Sequence, residues 1–123
     1  MRRPQIVVFE RDGRLARQLD ALAREKKWVI RESRQVKPCL RLLAGQGPSV
    51  LVTRLPANAD AELTLLARIG AAMPQVATVA VGDADDESGL AGLAWDLGVD
   101  FALFPPVATA RLPAIVEGLM GQP

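Results

Sequence analysis

Residues 6–23 read IVVFERDGRLARQLDALA, and this stretch contains a strand, a turn and the start of a helix. Ile6, Val7, Val8 and Phe9 form an unbroken apolar run rich in β-branched residues, the pattern of a strand covered on both faces. Asp12-Gly13 is a turn signal, and beyond it Leu15, Leu19 and Leu22 recur at helical spacing. A doubly buried strand followed directly by an amphipathic helix is the first half of a crossover to a parallel neighbour.

The same unit recurs outward from this stretch. Further strands are expected at residues 29–30 (within WVIRES), 50–53, 77–81 and 101–104. Helical spacing follows each of them: Val36, Leu40, Leu43; Leu63, Leu66, Gly70; Leu90, Leu93, Ala94, Leu97; and Leu112, Ile115, Val116, Leu119. Gly45 to Pro48, Pro74, Gly98 and Pro105-Pro106 punctuate the boundaries. The alternation predicts an α/β fold with a mostly parallel five-stranded sheet between helical layers. The polar second strand suits an edge.

Composition narrows the function. Half of the 123 residues are hydrophobic, enough for one core, so residues 1–123 read as a single domain. The sequence leaves open whether that domain stands alone or belongs to a longer protein. No apolar run approaches the roughly 18 to 20 residues that cross a bilayer, and charge comes too early for a secretory signal; a cytoplasmic protein is expected, with no membrane partner. With no histidine and one cysteine, there is no imidazole for metal ligation or base catalysis and no internal disulfide. Cys39 lies among Val36, Leu40 and Leu43, where a buried, inert thiol is expected in place of a reactive one. ERDGRLA holds one glycine, too few for a dinucleotide cradle. Neither enzyme activity nor a cofactor is expected.

Charge is divided along the chain. Residues 1–54 hold 13 Lys and Arg against 5 Asp and Glu, a net +8, and residues 55–123 hold 2 against 9, a net −7. If Leu15, Leu19 and Leu22 face inward, Arg14, Arg17 and Arg24 face solvent, and Lys27, Arg31, Arg34, Lys37 and Arg41 extend the basic region. It is either a solvated face or a surface for an acidic or phosphate-bearing partner. Five aromatic residues are too few for base stacking, and the overall charge of +1 also speaks against nucleic acid.

The order of elements, with IVVFERD, VLVTRLP, VAVGDADDE and LGVDFALFPP, resembles the receiver domain of bacterial response regulators over nearly the whole chain. The resemblance implies a flavodoxin-like, three-layer α/β/α fold with strand order 2-1-3-4-5. It also implies a site of two metal-binding acids, a phosphoacceptor Asp, a hydroxyl and a Lys. Here the acid pair falls on Glu10 and Arg11, with Asp12 following. The acceptor falls on Thr53 counting to the end of the apolar run, or on Val52 counting back from Pro56. The hydroxyl position falls near Gly82 and the lysine position on Phe104, leaving only the following Pro105. The implied protein is a pseudo-receiver, with Phe104 packed where the lysine would reach and with signalling carried by protein contact.

In receivers the fourth helix, fifth strand and fifth helix form the usual partner and dimer face. By that analogy Trp95, with Phe101 or Leu103, lies on an interface, opposite an inward face of Leu90, Leu93 and Leu97; a homodimer is one form this takes. The plainer alternative is that Trp95 folds back over its own helix. A second reading starts from Asp83, Asp85, Asp86 and Glu87, which with Glu10 and Asp12 could form a small-ligand or divalent-metal sensor. Against it, Asp85 or Asp86 would cap the fourth helix, and Arg11 and Arg54 are placed to pair with the acids.

Overall fold

The structure, a computed structural model, describes residues 3–45, 47–82, 89–105 and 109–121. Five parallel strands, β1 (Gln5–Phe9), β2 (Val29–Ser33), β3 (Ser49–Arg54), β4 (Ala77–Val81) and β5 (Phe101–Leu103), lie in the order β2-β1-β3-β4-β5. Helices α1 (Arg14–Lys26), α2 (Val36–Leu43), α3 (Asp60–Ala72), α4 (Leu90–Asp96) and α5 (Leu112–Met120) alternate with them. The fold is the flavodoxin-like α/β sandwich.

Strand alternation divides the core in two. Ile6, Val8, Val50, Val52, Val79 and Val81 pack on Leu15, Leu19 and Leu22 of α1 and on Leu112 and Val116 of α5. Val7, Phe9, Leu51 and Ala80 face the opposite way, onto Cys39 and Leu43 of α2, Leu65, Leu66 and Ile69 of α3, and Ala94 of α4. Both faces of the central strands are therefore dry, which is why β1, β3 and β4 read as continuous apolar runs. β2 lies at the edge, and the exposed Arg31 and Glu32 give it the charge that discourages pairing with another sheet. The strand order sets the basic β2, α1 and α2 toward one lateral edge, away from β4 and β5.

Two helices sit differently from their expected faces. The buried stripe of α3 is Glu62, Leu65, Leu66 and Ile69; Leu63 is half-buried and Gly70 is exposed. Gly70 instead allows a close approach, since a Cβ there would come within 3.0 Å of the Leu97 carbonyl oxygen. On α4, Leu93 is not inward but 46% exposed. This seven-residue helix seats through Ala94, its one fully buried residue, and a contact that narrow leaves Leu93 outside. The N-cap of α4 is Gly89, with φ 73°, so neither Asp85 nor Asp86 holds that position.

Candidate functional site

In a 2-1-3-4-5 sheet, ligands are taken up beyond the carboxyl ends of the strands, where β1 and β3 send their helices to opposite faces. A cleft of about 120 Å³ lies there, lined by Glu10, Arg11, Asp12, Arg14, Arg54, Pro56 and Glu62.

Glu10 is buried directly after β1, and both its oxygens are engaged. Oε1 accepts the backbone N–H of Leu15 at 2.7 Å; because the N-cap residue of α1 is Gly13, Glu10 supplies the acceptor that a capping side chain would otherwise provide. Oε2 accepts Nε of Arg54 at 2.7 Å, and the two side chains are only 2% and 11% exposed. A buried carboxylate needs such a partner, because desolvation without one costs more than the fold can spare.

Asp12 is exposed. Its Oδ1 accepts the N–H of Arg14 at 3.2 Å and its Oδ2 accepts Nε of Arg14 at 2.6 Å. The backbone hydrogen bond, then the Arg14 guanidinium, holds this carboxyl below its usual range. Arg11 donates Nη2 to the Asn58 carbonyl at 3.1 Å, and its Nε lies 3.6 Å from Oε2 of Glu62. Glu62 is 1% exposed, and its Oε1 has no hydrogen-bond partner among the described residues.

Val52 and Thr53 are both fully buried inside β3, and neither lines the cleft. Val52 belongs to the α1/α5 side of the core, and the Thr53 hydroxyl donates to the Phe9 carbonyl at 3.0 Å. The β3 residue that reaches the cleft is Arg54, so a guanidinium stands at the end of the strand that the resemblance makes the phosphoacceptor strand.

Gly82 and Phe104 meet directly. A Cβ on Gly82 would lie 2.2 Å from Cδ2 and 2.3 Å from Cε2 of Phe104, so the ring covers the backbone where a hydroxyl-bearing side chain would have to start. Phe104 is 8% exposed and packs with the α2/α3/α4 side of the core, while Pro105 beyond it is exposed. The two substitutions thus form one apolar contact.

Among the described residues no group of three or more His, Cys, Asp or Glu side chains could hold a metal ion. Asp83, the third weak metal candidate beside Glu10 and Asp12, lies outside the described residues, as do Asp85, Asp86 and Glu87.

On the α4/β5 side, Trp95 is 51% exposed and stands 6.4 Å from the ring of the half-buried Phe101, tilted by 55°. Leu103 is not on this surface: it is fully buried among Val79, Val81 and Leu112 on the α1/α5 side of the sheet, against which Phe101, two residues earlier on the same strand face, is only partly packed. Leu93, two positions before Trp95 on α4, is the other exposed large apolar side chain among the described residues. Arg14, Arg17 and Arg24 are exposed on α1, with Arg14 paired to Asp12 and Arg24 to Asp20 at 2.5 Å.

Arg54, expected to pair with an acid at this end of the sheet, does so with Glu10 while still pairing with Val81 as the last residue of β3. Glu62 is a site residue that the sequence analysis does not name; its signal is a spacing of three, four and seven residues from Leu65, Leu66 and Ile69, which puts an acid in the buried stripe.

No family model and no curated protein matches the sequence. Solved structures do match. A putative response regulator from Chloroflexus aurantiacus J-10-fl superposes with a TM-score of 0.75 at 14% identity, over 98% of this chain and 100% of that one. A response regulator from Thermotoga maritima gives 0.75 at 12% identity, over 98% and 100%. The signal receiver domain of an HD domain-containing protein from Pseudomonas fluorescens Pf-5 gives 0.76 at 21% identity, over 98% and 88%. Both the strand order and these superpositions identify the fold as that of response-regulator receiver domains.

Proposed function

We propose that this chain is a signalling module of receiver fold that takes no phosphoryl group and acts by binding a protein partner or a second copy of itself. The observation that carries the reading is Arg54, whose guanidinium stands at the end of β3 and is held by Glu10. Phosphoryl transfer to a receiver needs a carboxylate nucleophile, a cation bound by acids beside it, and a clamp for the phosphoryl oxygens, and these act as a unit. Val52 and Thr53 supply no carboxylate, Glu10 spends both oxygens on protein donors, and Phe104 lies over Gly82 where hydroxyl and lysine would meet the phosphoryl group.

The interaction half of the reading is supported by α4, which exposes Trp95 beside Phe101 and, two positions earlier, Leu93. Exposed apolar surface of this kind marks contact sites, and tryptophan is prominent among residues that dominate binding energy. Self-association through α4, β5 and α5 is the form tested first. Sedimentation velocity over a concentration series should show wild type associating and Trp95→Ala weakened at every ionic strength, because apolar contact is insensitive to screening. A strictly monomeric wild type, unchanged by Trp95→Ala, would remove self-association and leave a heterologous partner.

A further inference from the structure

A second cleft, of about 500 Å³, opens at the opposite end of the sheet, where β1 and β2 begin and α2 ends. Arg3, Arg31 and Arg41 surround it, with Gln5, Val29 and Leu42 as its floor, and no carboxylate lines it among the described residues. Neither Arg31 nor Arg41 has an ion pair or side-chain hydrogen bond among those residues. Three guanidiniums around one concavity repel each other, and an arrangement without counter-charge favours an anion.

The cleft is formed by ordered parts. Arg3 donates Nε and Nη2 to the Lys27 carbonyl at 3.0 and 2.6 Å, and that carbonyl belongs to a residue fixed in the left-handed region at the end of α1 (φ 59°). The register pairs Gln5 with Val29 and Val7 with Arg31, so Arg31 leaves β2 on the face that α2 covers. The carbonyl of Leu42, which could repel an anion, accepts Nε2 of Gln5 at 2.9 Å and the N–H of Gly45 at 3.4 Å. One charged residue on an edge strand would serve to block sheet pairing. That role accounts for Arg31 but not for Arg3 and Arg41 converging on the same space.

We propose that this cleft binds a small ligand through a chain of phosphates, independently of the proposed signalling role. Guanidinium forks match phosphate oxygens in pairs, which favours phosphate over a halide or a lone carboxylate. The volume exceeds what a single phosphate fills and falls in the range of roughly 300 to 1,000 Å³ typical of small-molecule sites. Inorganic polyphosphate and the phosphate chain of a nucleotide share this chemistry.

The test is titration of the intact, isotope-labelled chain with tripolyphosphate, ATP and inorganic phosphate at matched ionic strength, read by amide NMR shifts. Saturable shifts at residues 3, 5, 29–31 and 41–45, with tripolyphosphate at least tenfold tighter than inorganic phosphate, are expected. Equal affinity for tripolyphosphate and ATP assigns recognition to the phosphates alone, whereas tighter ATP adds the nucleoside. Arg31→Gln with Arg41→Gln should weaken binding at least tenfold, while Arg17→Gln with Arg24→Gln, the same charge change on α1, should leave it within about twofold. Non-saturating shifts, shifts centred on α1, or equal loss in both double variants would overturn the proposal.

Discussion

Replacing Gly82 with alanine adds one methyl group, and the structure says where it must go. The new Cβ would sit 2.2 Å from Cδ2 and 2.3 Å from Cε2 of Phe104, against an ordinary carbon–carbon contact of about 3.5 to 4.0 Å. The ring has to retreat by more than an ångström, and it is 8% exposed and packed into the core, so it cannot move without disturbing its neighbours. Overpacking of this kind costs roughly 1 to 3 kcal/mol. Phe104→Ala alone should lose about 3 to 5 kcal/mol as a nearly buried ring. In that background Gly82→Ala meets open space, so its own cost should fall below about 0.5 kcal/mol, the usual range for uncrowded positions. The coupling energy is therefore about 0.5 to 3 kcal/mol, measurable by urea denaturation of the four proteins at a common m value. Equal cost of Gly82→Ala in both backgrounds would refute the contact, and a Phe104→Ala loss under about 0.5 kcal/mol would place the ring in solvent.

Two further outcomes follow from buried groups. Arg54→Ala leaves Glu10 buried without its cation and should cost about 3 to 5 kcal/mol in the same denaturation assay; a loss within about 0.5 kcal/mol would mean that the pair does not hold the cleft together. Burial pushes the Cys39 thiol up to about 12, so it stays neutral at pH 8 and should resist iodoacetamide in the native protein, reacting only once urea unfolds the chain. The folded value lies above the unfolded one of about 8.5, so the thiol's contribution to stability is full below that pH and is lost as pH rises toward 12. Stability that rises between pH 8.5 and 10 in a manner abolished by Cys39→Ala would contradict it.

The fold was legible because its signal is carried by whole strands. Residues 6–9, 50–53 and 77–81 are apolar without interruption, and β3 extends past its expected run only by Ser49 and Arg54. WVIRES, with few apolar residues, still marked the edge correctly, since an edge strand keeps charge on its exposed positions. Helix faces were read less well where a helix is short or carries a buried acid: α4 seats on Ala94 with Leu90 and Ala91 partly buried and leaves Leu93 outside, and Glu62 faces in from the first turn of α3. Asp60 and Glu62 there both favour the positive end of the helix. Site residues were hardest: alternation separates Thr53 from Val52 and Arg54, so a one-residue error moves a side chain to the other face, and of those two only Arg54, the last residue of β3, reaches the cleft. Leu103 and Phe101 share one face of β5, yet Leu103 is fully buried while Phe101, at the first position of the strand, stays half-buried beside Trp95.

The central claim, that a cation and an apolar ring stand where a phosphoryl group would be taken up, is tested most directly by intact mass spectrometry near neutral pH. The protein is incubated with acetyl phosphate and Mg²⁺ beside a working receiver domain as the positive control. The account predicts an unchanged mass for this chain while the control gains one phosphoryl group. A labile phosphoryl adduct on this chain, mapped to Glu10, Asp12 or any other carboxylate, would contradict it.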